Sequence, residues 1–414
     1  MPDRGPAIAA GARIGVITTS YPRRPGDAAG GFVAGHVAYL RATGADVEVI
    51  AIGDGHHDRH DDDHGVTRLD GGGLFYRGGA PEALEGGGAT LRALAVSARM
   101  TAAIAGRARR WDAVVAHWLA PSALAAALAA GGRPLLAIAH GGDVHLLART
   151  RLLGPALRLL HARGATVGFV SHALRQRALA GLSPALAAAL RTTVQPMGVD
   201  ATTIDTVAAL RAARAAARGP FTPARPATLL VLARLVPIKS IATAIAALPH
   251  LLTPARLLIA GDGPERAALT AAAAPLGARV HLLGQVDTAV RDRLLADADA
   301  VLVPSIARPD GREEGTPLAA LEALAAGVRV IASATGGLVD LADRGAALVP
   351  PGDPRALARA IDRSLAGPPP APAEVSWRVA GDVLDRAWGR VPRYAPDTIA
   401  TQGPFAPRSD RPSS

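Results

Sequence analysis

The feature that most limits the fold is a repeated alternation. Short apolar runs of strand length, each closed by glycine or proline, are followed by stretches of helical periodicity, in two series separated by a proline-containing joint. Such an alternation marks parallel strands joined by crossover helices. The first series predicts strands over Arg13–Thr19, Asp46–Ile52, Ala113–Ala116, Leu135–Ala139, Ala165–Ser171 and Arg191–Gln195. Gly30-Gly31-Phe32 opens its first helix, and further helices are expected over Thr90–Arg110, Ser122–Ala130 and Leu146–Arg163, the last basic and amphipathic. The second series predicts strands over Thr228–Ala233, Arg256–Ala260, Arg279–Leu283, Ala300–Val303, Val328–Ala332 and, at the edge, Ala347–Pro350. The expected fold is α/β, with two Rossmann-like parallel-sheet lobes, residues 12–197 and 227–373, facing a cleft. Residues 198–226, an Ala/Arg-rich helix and GPFTPARP, are expected as the connection; a helix in 374–391 follows, then a polar, disordered tail, 392–414.

A chain of 414 residues that is 49% apolar can build two or three cored domains. The absence of cysteine excludes disulfides, thiolate metal sites and cysteine nucleophiles, and fits a reducing compartment. Residues 1–13 lack the apolar core of a secretory leader. No run reaches the ~18 uncharged residues of a membrane span, so a cytoplasmic protein is expected. The net charge of +10 is uneven, with 17 Lys and Arg against 4 Asp and Glu in residues 101–250. Such a block can meet anionic lipid, nucleic acid or a phosphorylated substrate. Aromatic residues at 3% argue against base stacking and hence against nucleic acid. Peripheral contact with an anionic membrane at its inner face, or with a phosphorylated lipid acceptor, competes with a merely solvated Arg-rich face.

The densest chemistry lies in RPDGREEGTPLAALEALAAG, Arg308 to Gly327. Thr316 reads as an N-cap with Pro317 at the first helical position, and Gly327 as the stop. Glu314 precedes the helix, and Glu322 falls on the edge of the Leu318–Leu321–Ala325 stripe, half-buried, so both acids are expected to border one crevice near amide donors. Of 45 basic residues only Lys239 is a lysine; it follows Arg234 in the loop after the first strand of the second series. Two fixed cations can neutralise a departing diphosphate while two acids accept from sugar hydroxyls; ordinary salt bridges among the four are the competing reading. His140 closes a strand at the end where open α/β sheets bind ligands. HHDRHDDDH, His56 to His64, superficially suggests a metal site, but without fixed ligand spacing it reads as a solvated surface loop.

VLARLVPIKS, IAGDGPER, VPSIARPDGREEGTPLAALEALAAGVRVIASATGGLVD and LVPPGD occur in that order, after GGF, AHWLAP, AHGGDV and VSHALRQRAL. With its Glu-x7-Glu pair and upstream Arg and Lys, the chain resembles the retaining, GT-B-fold glycosyltransferases of the group-1/family-4 (GT4) type over about residues 12 to 391. The resemblance implies a nucleoside-diphosphate-sugar donor and transfer of a hexose-type sugar to an acceptor hydroxyl with retention. It implies no required metal or other cofactor, and a role in making cell-surface polysaccharide, glycolipid or another glycoconjugate. Residue by residue, it implies Arg234 and Lys239 on the donor diphosphate, Glu314 on the sugar hydroxyls, Glu322 on the ribose and His140 facing the transferred sugar. Gly31 would approach the phosphates, and Gly315, Thr316 and Pro317 complete the donor loop. The leaving phosphate then serves as base, without a protein nucleophile. The family's acidic residue before the lysine and glycine after it are Ile238 and Ser240 here, its interlobe Asn is Met197, and its Pro-Glu is Val339-Asp340. Two other classes compete. A dinucleotide enzyme is disfavoured by Arg266 at the third glycine position after Gly261-x-Gly263. A non-catalytic or epimerase-type sugar-nucleotide-binding protein of the same fold is the alternative.

Overall fold

The structure, a computed structural model, describes residues 8–23, 30–53, 59–61, 65–71, 89–214 and 221–389. The glycines at 72, 73 and 86–88, most of the His56–His64 stretch and the tail 392–414 lie outside the described residues. The first lobe is built on β1 (Arg13–Thr18), β2 (Asp46–Ile52), β3 (Arg59–Asp61), β4 (Val66–Leu69), β5 (Ala113–His117), β6 (Leu135–Ala139), β7 (Thr166–Phe169) and β8 (Arg191–Val194). They form one sheet in the order β3-β4-β2-β1-β5-β6-β7-β8, parallel except for β3. The second sheet comprises β9 (Ala227–Leu232), β10 (Ala255–Ala260), β11 (Val280–Gly284), β12 (Ala300–Val303), β13 (Arg329–Ser333) and β14 (Ala347–Val349), ordered β11-β10-β9-β12-β13-β14 and parallel throughout. The inner strands β5, β6 and β12 are buried at every position, which is why they read as continuous aliphatic runs.

Each sheet reverses its winding once, at β1/β5 and at β9/β12. Neighbouring loops diverge at these points and leave crevices beyond the strand ends. The helix after β1 opens at Gly31 and the loop after β5 carries Trp118; the loops after β9 and β12 carry Lys239 and Glu314.

Several expectations are corrected. The single helix Leu146–Arg163 is two, Gly142–Arg149 and Leu153–Ala162, with Arg151 at φ 59° between them. Pro155 is the reason: inside a continuous helix its ring would meet the carbonyl of Arg151, and it has no N–H to give. The helix expected from Ser122 starts regularly only at Leu124, after an irregular turn over Leu119–Ala123. Arg59–Asp61, expected in a loop, adds a short edge strand antiparallel to β4. In the connection, the helix Ala201–Arg214 docks on the second lobe. Val207 joins Leu295 and Leu321 in its core, and Arg211 donates to the carbonyls of Ala296, Ala298 and Gly327.

The chain returns to the first lobe through the helix Trp377–Trp388, whose Trp377, Leu384 and Trp388 are buried with Val33, Val37 and Leu40. The Tyr39 hydroxyl lies 2.9 Å from carboxylates of both Asp382 and Asp385. Burial pushes Asp385 up to about 6, opposed by its hydrogen bond to Tyr39.

Candidate active site

The second lobe supplies a charged wall. After β9 the chain runs Arg234 to Lys239, and this loop is held on both sides: Leu235 N–H donates to the Asp262 carbonyl at 2.9 Å, and Ile306 N–H to that of Ile238 at 2.9 Å. Gly261 and Gly263 form its floor, because a Cβ on either would stand 1.8 Å from the Ala233 oxygen or 2.4 Å from the Leu235 oxygen. The Gly-Asp-Gly motif therefore does steric work: it lets two backbones touch. Lys239 closes a 3-10 turn, and Ser240 after it sits at φ 44°, ψ 44°. That left-handed geometry explains the glycine for which Ser240 stands in; the Ser240 Oγ–Thr243 Oγ1 contact at 2.8 Å offsets part of the strain.

Lys239 Nζ lies 2.6 Å from Glu314 Oε2, with the two side chains 20% and 14% exposed. Ser305 Oγ donates to the same oxygen at 3.3 Å. Glu314 Oε1 takes no protein partner among the described residues, so an acceptor face of the carboxylate stays open. A small hollow lined by Ala233, Lys239, Val303, Ser305, Pro317 and Ala319 adjoins the pair. Arg234 is exposed on the same loop. Gly336 and Gly337 lie flat on the Glu314–Gly315 backbone; a Cβ on Gly336 would be 2.4 Å from the Glu314 carbonyl oxygen, which accepts from Gly337 N–H at 2.9 Å.

Two expectations about the glutamate helix fail here. The helix is Leu318–Ala325 with Pro317, not Thr316, at its N-cap. The Thr316 hydroxyl instead donates across the lobes to the Val170 carbonyl at 3.0 Å, a partner no local signal reveals. Glu322 is 5% exposed rather than half-buried, and Arg291 Nη1 holds it at 3.2 Å. Burial raises its carboxyl above the usual range, with Arg291 opposing and Asp292 adding to the rise. The two glutamates take different partners. Glu314 meets Lys239, while Glu322 turns to an arginine on the helix Thr288–Asp297.

The first lobe supplies a neutral, aromatic wall. His140 follows β6 and is ringed by Phe32 and Trp118, with centroids 4.9 and 4.8 Å away. Its Nε2 contacts His117 Nδ1 at 3.1 Å, and His117 Nε2 contacts His36 Nδ1 at 3.0 Å. Burial drives all three imidazoles below their ordinary range, so they are neutral at pH 7. The turn carrying His140 is pinned by buried Asp143, which accepts from the N–H groups of His140, Gly141 and Val144 and, at 2.6 Å, of Leu119. Trp118 stands at φ 70°, a strained geometry for an aromatic residue and one that tends to gather at functional sites. Gly31 is the first residue of the helix Gly31–Ala42, and a Cβ there would meet no atom within 4 Å. Sequence reasoning missed His36, His117, Asp143 and Arg291; only the strand-end placement of His117 offered a signal.

The two walls meet. A Cβ on Gly315 would be 3.6 Å from the His140 carbonyl oxygen; Arg177 pairs with Glu313 at 3.2 Å, and His172 N–H donates to Asp340 at 2.7 Å. Among the described residues, no cluster of His, Asp and Glu is arranged to hold a metal ion. No helix among them is long and apolar enough to cross a membrane.

Two largely parallel-sheet lobes, with the Lys239–Glu314 pair beyond the strand ends of one and His140 on the other, define a GT-B architecture. The description "Glycosyl transferase 4-like domain" matches residues 28–198, and "Glycosyl transferases group 1" matches residues 226–366. The chain belongs to the GT4-type glycosyltransferases of group 1. It is 36% identical over 228 residues to a GDP-mannose-dependent alpha-(1-6)-phosphatidylinositol monomannoside mannosyltransferase of Mycobacterium tuberculosis, covering 53% of this chain and 57% of that one. An uncharacterized glycosyltransferase of Methanocaldococcus jannaschii is 36% identical over 143 residues, 33% of this chain and 35% of that protein. The matches thus span only part of these curated relatives' length. Among solved structures, Anabaena Alr3699/HepE in complex with UDP and glucose superposes with a TM-score of 0.60 at 20% identity, covering 91% of this chain and 94% of that one. Sucrose-phosphate synthase from Thermosynechococcus elongatus gives 0.62 at 22% identity, covering 91% and 93%.

Proposed function

We propose that this protein transfers a hexose-type sugar from a nucleoside-diphosphate-sugar to an acceptor hydroxyl, with retention at the anomeric carbon and without a required metal. The observation that carries the reading is the Lys239–Glu314 pair at 2.6 Å, set at the winding reversal of the second sheet with the Glu314–Gly315 loop against the His140 backbone. A lysine ammonium has three donors, so Lys239 can keep Glu314 and still bind a phosphate oxygen. Arg234, exposed on the same loop, adds a second cation where charge develops as the sugar–phosphate bond breaks. Glu314 Oε1 accepts from a sugar hydroxyl and so orients the ring. In this reading the leaving phosphate takes the acceptor proton. The setting is synthesis of a cell-surface polysaccharide, glycolipid or other glycoconjugate.

For the acceptor side we propose peripheral contact with anionic lipid from the cytoplasmic face. Leu152 is 54% exposed in the break between the two helices of the basic block, among exposed Arg149, Arg151 and Arg158. Flotation with acidic liposomes at moderate salt tests this, and absence of binding ends it. The sugar-transfer reading is tested by thermal shift with a panel that includes GDP-mannose and UDP-glucose. A ligand of the folded state at a hundred times its Kd adds about 2.7 kcal/mol and raises the melting point. If no nucleoside-diphosphate sugar stabilises the protein, the reading falls. If one binds but is never transferred or hydrolysed, the non-catalytic alternative replaces it.

A further inference from the structure

We propose that His36 and His117 are positioning residues that fix the orientation and tautomer of His140, and that Trp377 holds the far end of this chain from the point where the polypeptide re-enters the first lobe. The inference rests on the proposed sugar transfer with His140 facing the transferred sugar, and deepens it.

A neutral imidazole carries one N–H and one bare nitrogen. The contacts His36 Nδ1–His117 Nε2, 3.0 Å, and His117 Nδ1–His140 Nε2, 3.1 Å, use both nitrogens of the middle ring. If His117 accepts from His36, its single proton is on Nδ1 and it must donate to His140; if it donates to His36, it must accept from His140. The two bonds therefore always run in the same direction, so the tautomer of His140 is coupled to that of His36 two rings away; His36 Nε2 is buried with no partner among the described residues, and the sense that leaves it bare avoids an unmet buried N–H. Among the described residues Nδ1 of His140 meets no protein partner, so this nitrogen is the one that addresses a ligand, as donor or as acceptor according to the sense of the chain. Burial disfavours the charged rings that would break this rule.

The far end is clamped. The His36 ring stacks on Trp377 at 4.8 Å with 8° between planes. Trp377 is 5% exposed, and Gly35 and Gly198 make its slot, since a Cβ on them would stand 2.2 Å from its Nε1 and 2.4 Å from its Cα. The two passes of chain between the lobes are joined at this spot: Val199 N–H donates to the Val375 carbonyl at 2.8 Å, and Trp377 N–H to that of Val199 at 3.1 Å. The histidine chain thus runs from the crossing of the interlobe segments to the cleft, and a shift of the second lobe about that crossing moves the stack on which His36 rests.

The test uses the full chain with 15N-labelled histidine. Two-bond proton–nitrogen spectra separate Nδ1 from Nε2, and among the 12 histidines His140 is assigned by the signal lost in His140→Gln. At pH 7 His140 is expected as a single neutral tautomer. His36→Phe keeps a ring against Trp377 but removes the first hydrogen bond, and it should convert His140 to an average of two tautomers. Trp377→Ala should do the same and Trp377→Phe should restore the single form, while melting curves confirm that each variant is folded. With whichever of GDP-mannose and UDP-glucose is bound, turnover to the nucleoside diphosphate should fall about tenfold in His36→Phe at unchanged KM, the signature of lost orientation rather than lost binding. An averaged His140 in the unmodified protein, or an unchanged single tautomer in folded His36→Phe and Trp377→Ala, overturns the inference. Failure of every nucleoside-diphosphate sugar in the panel to bind would sink the proposed function while the tautomer result still decides the positioning chain.

Discussion

The two walls of the cleft solve the same task, holding a polar group still beside a ligand, in opposite ways. The second lobe uses full charges: Lys239 and Glu314 fix each other at 2.6 Å, and the backbone beneath them is held by glycines and N–H donors. The first lobe uses neutral rings, three imidazoles in line among Phe32, Trp118 and Trp377. A charged wall suits a diphosphate, whose charge it offsets. A neutral wall suits a sugar ring, because its hydrogen bonds do not compete with the phosphates for the cations. The difference teaches where each substitution should hurt: chemistry in the second lobe, orientation and pH tolerance in the first.

The most direct way to break the comparison is to remove a charge. Lys239→Ala and Glu314→Ala should each lower transfer by on the order of a hundredfold or more, as for loss of one transition-state contact. Lys239→Arg should not rescue, because the fork of a guanidinium does not reproduce a compact ammonium beside Glu314 and Ser305. Full activity in both alanine variants would contradict the charged wall. Arg291→Ala separates the second glutamate from the first. It should cost about 3 kcal/mol of stability, because Glu322 is left buried without its cation, and a melting point like that of the unmodified protein would show that the buried carboxylate does not depend on Arg291.

The neutral wall is tested by pH. A histidine held below its ordinary value binds fewer protons folded than unfolded, so stability rises with pH across the gap. For His36 that gap runs from about 6.5 down to about 3. Acidification from pH 7 to 5 should therefore lower stability by up to about 1.4 kcal/mol per pH unit for each such ring, read as a lower melting point. Asp385, raised to about 6, acts with the opposite sign and loses its contribution as pH rises. The difference between the unmodified protein and His36→Phe isolates the rings, and equal pH slopes in the two would remove their claim to neutrality. The smallest effect concerns the backbone under the charged wall. Ser240→Gly should add about 0.5 kcal/mol by relieving the left-handed residue at φ 44°, unless the Thr243 contact offsets more than the strain; chemical denaturation reads the sign.

How much of this was legible depends on range. Lys239 stood out because it is the single lysine, and Glu314 because its loop precedes a marked helix. Their direct pairing is what the competing salt-bridge reading expected, and they meet because β9 and β12 are neighbours in the sheet. Thr316 was misread because its residue type satisfies the local capping rule, while its real acceptor, Val170, is 146 residues away. Glu322 was misplaced because a helical wheel shows one face and says nothing of Arg291 on a neighbouring helix. Pro155 was readable and settles the break in the basic block; the amphipathic pattern on both sides concealed it.

Periodicity and punctuation are local properties, and by themselves they determined the alternating elements, the two series and the strand ends at which chemistry could be placed. Only the tertiary structure decided which side chains become partners. Three histidines from separate elements, an arginine behind Glu322 and a threonine reaching across the lobes depend on strand order and helix docking, and contacts between residues 20 to 150 positions apart leave no periodic trace in the chain.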